Sequence, residues 1–310
     1  MRNGVYRFMF SLLMASVLSC AGMNNPTRAV PAADDPGQLL PMADGTEIYK
    51  YVRSPAGEPD ATVYVIAGIT GINHIAENDV LEALGGEHHR VVVFHPRGTG
   101  YSGGKRGDVD PFELFISDLI ELVDKDSETN RKILFGHSMS AAWVLRAATS
   151  LQKIDGIILV NPPVVSKASE GMSPSFLEYI KYGFYYVFAQ HTPIVNMGGD
   201  PQKIENADEE AELRQNDPFL VPFFSLSLMS DARDLMDEMP ANAKKIKIPL
   251  LLIYGTSDGL IEESGCELLL ENWASSDKTY VRVPQGPHGK QTVLLATPSI
   301  QKWLAEKIVD

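Results

Sequence analysis

Short apolar runs alternate with helical segments along most of this chain, and that rhythm restricts the fold more than any other feature. "ATVYVIAG" and "RVVVFHP" are continuous and β-branched, as expected of strands covered on both faces. "EIYKYV" alternates like a half-covered strand, while "HIAENDVLEALGG" has helical spacing and a glycine stop. In "DPFELFISDLIELVDKD", Phe112, Phe115, Ile116, Leu119, Ile120 and Val123 share one stripe, with Asp110-Pro111 read as cap and first turn. The strand "KILFG", the helix "SAAWVLRAATSL" and the strand "IDGIILVNPP" follow. Alternation of this kind implies right-handed crossovers and a mostly parallel central sheet flanked by helices.

The rhythm stops at about residue 164. From there to 245 no strand-like run is evident, only helical segments and polar loops. It resumes with the strand "KIKIPLLLIYG", a helix near "ESGCELLLENWA", the strand "TYVRVP" and the helix "TPSIQKWLAEKIV". The expectation is an α/β core in two parts, 44–163 and 246–310, interrupted by a helical cap at 164–245. Such an insertion lies where strands end, which is where open α/β sheets bind ligands.

Before the core, Arg2 and Arg7 precede the apolar run "FMFSLLMASVL", too short to span a bilayer and followed by small residues. Residues 1–20 therefore read as a signal peptide. "VLSCA" resembles the lipobox of bacterial lipoproteins, which implies acylation of Cys20, a membrane anchor and a cell-envelope location; plain secretion is the alternative. Residues 21–43, rich in Pro, Ala, Asn and Asp, read as a flexible tether. If Cys20 carries lipid, Cys266 has no partner and no disulfide forms. Two cysteines also make a structural zinc site improbable. A net charge of −13 argues against a nucleic-acid partner, because little is available to replace phosphate counterions.

The chemistry centres on Gly136-His137-Ser138-Met139-Ser140, between a strand and a helix. A G-x-S-x-G turn there holds its serine in a strained conformation with the hydroxyl exposed. Here Ser140 replaces the last glycine, and an ordinary helix N-cap is the competing reading. A serine nucleophile needs a base. His288, after "TYVRVP", is the candidate; His88, His89 and His191 are weaker. Asp258, after "LLLIYG", is the candidate acid, with Asp277 and Asp155 as alternatives. The N–H of Met139 at the helix start would hold an oxyanion, and Ile69 in "AGITGINH" would supply the second N–H.

"VIAGITG", "HPRGTGYS", "GHSMSA", "IPLLLIYGTSDGLI" and "VPQGPHG" resemble the α/β-hydrolase superfamily, nearest its monoacylglycerol lipase and lysophospholipase branch. The resemblance runs from about residue 45 to the end. It implies a cofactor-free and metal-free serine hydrolase acting through Ser138, His288 and Asp258 on a small ester or lipid. Three positions depart from the pattern: Ala67-Gly68 for His-Gly, His95 for aspartate in "D-x-R-G-x-G-x-S", and Ser140 for glycine.

Within the cap, Phe176, Ile180, Phe184 and Phe188 form one helical stripe and Tyr179, Tyr182 and Tyr186 another. One reading packs the helix on the core. The other lines an acyl-chain pocket or meets lipid. "VPFFSLSLM" would be a second apolar wall, and "ENADEEAELRQND" a solvated acidic face. Two other functions stay open: an aminopeptidase of the same fold, using acidic cap residues such as Glu205, Asp208, Glu209 and Glu210, and a non-catalytic ligand-binding module.

Overall fold

The computed structural model describes residues 25–66, 78–167, 176–196, 219 and 221–308, with backbone alone at 176–180 and 308. An eight-stranded sheet has the order β1-β2-β4-β3-β5-β6-β9-β10. Its strands are β1 (Gln38–Pro41), β2 (Glu47–Arg53), β3 (Ala61–Ile66), β4 (His89–Phe94), β5 (Lys132–His137), β6 (Gly156–Val160), β9 (Leu250–Gly255) and β10 (Lys278–Val283). The hairpin β1–β2 joins β4 antiparallel, and every pairing from β4 to β10 is parallel.

Side-chain alternation divides the core into two layers. Tyr64, Leu134, Leu159 and Leu252 face α2 (Glu113–Lys125), α3 (Met139–Ala148) and α7 (Glu263–Asn272). Their neighbours Val63, Ile133, Ile158 and Leu251 face α1 (Asn78–Gly85), α8 (Lys290–Leu295) and α9 (Thr297–Ile308). Both faces of the central strands are buried, which is why their sequences show no polar alternation.

Three expectations need correction. First, α2 begins at Glu113 after Phe112, which makes no side-chain cap bond. Asp110 instead approaches His191 at 3.6 Å, and the chain turns into the helix through Leu114 N–H to Pro111 O. Second, the insertion contains an antiparallel ribbon, β7 (Pro193–Asn196) with β8 (Phe223–Ser225). Strands this short carry too few residues for a period-two signal. The ribbon lies between α4 (Phe176–Phe188) and α5 (Leu226–Asp237), with α6 (Met239–Ala243) next.

Third, the segment assigned to a tether is fastened to the body. Besides β1, Asn25 bonds the backbone of Phe223 and Arg106, Arg28 donates to Tyr101 O, and Tyr49 donates its hydroxyl to Asp35. Polar side chains meeting distant backbone leave no periodic trace in sequence. Residues 1–24, with Cys20 and the expected signal peptide, lie outside the described residues, and among those described no helix is long and apolar enough to cross a membrane.

Candidate active site

Ser138 stands at the junction of β5 and α3 with φ 52° and ψ −129°. Left-handed backbone of this kind is costly for a residue with a Cβ, so the surrounding structure has to hold it. Ser138 N–H donates to Val160 O on the neighbouring strand, and Ser138 O accepts from Ala141 N–H. Gly136 is required for close approach: a Cβ there would sit 2.7 Å from Ala141 Cα. Ser140 fits the turn because its hydroxyl donates to His137 O and accepts from His137 N–H, both at 2.9 Å. The departure from glycine thus adds a brace.

His288 lies in the loop after β10. Its Nε2 is 2.9 Å from Ser138 Oγ and its Nδ1 is 2.7 Å from Asp258 Oδ2. With the proton on Nδ1 donated to the carboxylate, Nε2 is left to accept from the serine hydroxyl. Asp258 is buried in the loop after β9, and its Oδ1 accepts the N–H groups of Leu260 and Ile261 at 2.7 and 2.9 Å. Burial pushes the carboxyl upward, but the His288 hydrogen bond and charge, with those two backbone donors, outweigh it and leave the carboxyl below its ordinary value. A carboxylate ionised in this way can hold the imidazole in one tautomer and stabilise its protonated form.

The three side chains named from sequence therefore meet at the C-terminal ends of β5, β9 and β10. Neither alternative acid joins them. Asp277 pairs with Lys307, and Asp155 accepts the Lys132 N–H. His89 is buried in β4, and His191 lies 3.2 Å from Asp108. Met139 N–H, at the first position of α3, has no intrahelical carbonyl to bond and stands beside the serine. Ile69 lies outside the described residues, as do the side chains of Phe176 and Ile180.

Two cap residues can be placed. Phe184 is half-buried and its ring lies 5.0 Å from that of Phe188, which is 73% exposed. Phe188 therefore stands on open surface and does not wall a closed pocket. The buried contact of this helix end is made by Tyr185, outside the expected stripe. "VPFF" turns inward: Val221 and Phe224 join the main core cluster. Cys266 is buried and unpaired, its thiol pushed up to about 12, chiefly by burial.

One supporting residue escaped the sequence reading. Asn161, buried at the end of β6 with φ 45°, accepts the Gly255 N–H at 2.8 Å and donates to Pro287 O at 3.3 Å. It ties the serine's neighbouring strand to the ends that carry Asp258 and His288. Asparagine tolerates left-handed backbone better than most residues. An asparagine ending a buried apolar strand just before Pro-Pro was the available signal.

A nucleophile elbow, a buried carboxylate and an imidazole in this chain order narrow the comparison to one fold. A family model described as serine aminopeptidase, S33, matches residues 57–291. The chain belongs to that S33 family. Among its relatives, rat monoglyceride lipase is 28% identical over 261 residues, covering 81% of this chain and 82% of that protein. A Mycolicibacterium smegmatis monoacylglycerol lipase is 28% identical, covering 75% and 82%. Solved structures give the same architecture. Paleococcus ferrophilus monoacylglycerol lipase superposes with a TM-score of 0.66 at 24% identity, covering 84% of this chain and 99% of that one. A soluble variant of Saccharomyces cerevisiae monoglyceride lipase, in complex with a substrate analog, gives 0.73 at 17% identity, covering 93% and 99%. This S33 member is an α/β-hydrolase resembling monoacylglycerol lipases.

Proposed function

We propose that this protein is a serine hydrolase that cleaves carboxylic esters of monoacyl lipids or similarly apolar acids. The observation that carries the reading is the continuous path from Asp258 through His288 to Ser138, at 2.7 and 2.9 Å. His288 Nε2 takes the Ser138 hydroxyl proton as Oγ bonds to the substrate carbonyl carbon. The Met139 N–H, and by proposal that of Ile69, receive the charge on the carbonyl oxygen. Collapse of the tetrahedral species breaks the ester C–O bond, and His288 returns the proton to the leaving alcohol. Water, deprotonated by His288, then attacks the acyl-enzyme and releases the acid and Ser138. A lipid acyl group is favoured by the monoglyceride lipase relatives and by the apolar cap helix.

The test is turnover of p-nitrophenyl esters, monoacylglycerols, lysophospholipids and aminoacyl amides by wild type and by Ser138→Ala, His288→Ala and Asp258→Asn. Each substitution should reduce ester turnover by roughly 10³–10⁶, and the losses should not add. Preference for substrates with a free amino group would establish a peptidase instead. No labelling of Ser138 by a fluorophosphonate, together with no turnover of any substrate, would leave only a binding module. The lipobox-like segment supports a second element of this reading, export and acylation at Cys20; recovery of the wild type in the soluble fraction without lipid would refute it.

A further inference from the structure

We infer that Lys167, at the start of the insertion, is a positioning residue for the catalytic acid. Through it, the chain that enters the cap holds the loop that aims Asp258 at His288. The inference deepens the serine-hydrolase reading and rests on it.

Both oxygens of the Asp258 carboxylate are committed. Oδ2 meets His288 Nδ1, and Oδ1 accepts the Leu260 and Ile261 N–H groups. The direction of the carboxylate is therefore set by the peptide units from Asp258 to Ile261. That stretch has little packing of its own. A Cβ built on Gly259 would meet nothing within 4 Å, and Leu260 is 56% exposed. Of the three residues after Asp258, Ile261 alone is buried. A glycine followed by an exposed leucine leaves peptide groups free to rock unless they are bonded elsewhere.

The bonds come from the chain that enters the cap. Beyond β6 and Pro162-Pro163, Val165–Lys167 runs antiparallel to the acid loop, with Ser166 opposite Ile261. Glu262 N–H donates to Val165 O and Lys167 N–H to Leu260 O, both at 2.8 Å. The Lys167 ammonium then turns back and donates to the main-chain carbonyl of Asp258. A charged donor makes a hydrogen bond roughly twice as strong as a neutral one. Lys167 thus grips both Asp258 itself and Leu260, whose N–H reaches the carboxylate. Its own footing is firm, because Val164 and Val165 press on the first turn of α7. A Cβ on Gly265 there would lie 2.9 Å from Val165 N.

The histidine has a separate fastening. Pro287 O, one residue before His288, accepts Asn161 Nδ2 at 3.3 Å and Thr292 Oγ1 at 2.5 Å. Base and acid are therefore both held from the chain that leaves β6, by Asn161 and by Lys167. Asn161 belongs to the core, whereas Lys167 belongs to the insertion. Movement at the entry of the cap shifts the carboxylate and leaves the imidazole in place.

Lys167→Met removes the donor and keeps the length of the side chain, while Lys167→Arg keeps a charged donor. Lys302→Met, on α9 with a side chain 77% exposed, controls for lost charge. In hydrolysis of p-nitrophenyl acetate, Lys167→Met should lose about ten- to a hundredfold in kcat with KM unchanged, as misplacement of a catalytic group gives. The low-field proton resonance of the His288 Nδ1–H bond to Asp258, read with or without turnover, should weaken in the same variant. Lys167→Arg should recover both, and Lys302→Met should change neither. Wild-type kcat with an unaltered resonance in Lys167→Met would overturn the inference. So would a loss of kcat with the resonance intact, which would put Lys167 on the substrate instead. Turnover retained by Ser138→Ala would overturn the serine-hydrolase reading, and the resonance would still decide whether Lys167 aims Asp258.

Discussion

His137 precedes the serine, and its ring lies 5.1 Å from that of His288. Its Nε2 is shielded from solvent and has no hydrogen-bond partner. Burial, and then the charge that His288 can carry, hold the ring neutral down to about 3, with Asp258 acting in the opposite sense. An unfolded chain protonates the same residue near its ordinary value of about 6.5. Below that pH the unfolded state binds the extra proton, so the stabilising contribution of neutral His137 is complete above about 6.5 and is lost progressively toward about 3. The stability difference between wild type and His137→Gln should therefore be constant above pH 7 and fall by on the order of 1 kcal/mol per pH unit below 6. Urea unfolding of both proteins between pH 4.5 and 8 measures it; parallel curves would mean the ring is solvated. Ser138, Asp258 and His288 were legible because each closely follows a recognisable strand. Asn161 was not, because its work depends on two loops that are remote in sequence.

At the scale of elements, Arg97 joins three pieces of the core. From the turn after β4 it makes a paired contact with Asp118 of α2, at 2.7 and 2.8 Å, and reaches Asp44 in the β1–β2 turn at 2.8 Å. The two carboxylates differ in surroundings. Asp118 is buried, and burial raises its carboxyl despite the guanidinium; Asp44 is partly exposed, and the Arg97 hydrogen bond brings it down to about 2. Removing one partner of a buried pair strands the other charge, at a cost of about 3–5 kcal/mol, whereas an exposed pair contributes about 1 kcal/mol or less. Asp118→Leu should lower the stability by about 3 kcal/mol or more, and Asp44→Asn by about 1 kcal/mol or less, in chemical denaturation. Equal losses would refute the assignment by burial. His95 behind this turn belongs to the same assembly. Its Nδ1 accepts the Tyr101 N–H, and Gly100, with φ 49°, leaves room that a Cβ would fill at 2.1 Å from that nitrogen. The missing aspartate is thus replaced by an imidazole with its own backbone donor. Strands and helices could be read from period alone; this brace, the β7–β8 ribbon and the fastened N-terminal segment could not, because they are made by single side chains and very short pairings.

For the molecule as a whole, the sheet order places β6 beside β9, although the entire cap separates them in sequence. Every residue of β6 is buried in the finished fold. A chain that has reached residue 245 already owns its nucleophile strand, yet lacks both Asp258 and His288 and leaves one edge of β6 unsatisfied. Closing so long a segment costs conformational entropy before any contact rewards it, and such closures fold slowly. Chain cut after residue 245 should accordingly form soluble oligomers or precipitate, read by size-exclusion chromatography, while the full chain remains dispersed. The order in which this polypeptide becomes complete therefore carries a hazard. Its most adhesive strand is made early and sheltered late, and a cell producing it has to guard that open edge for as long as the cap takes to be built.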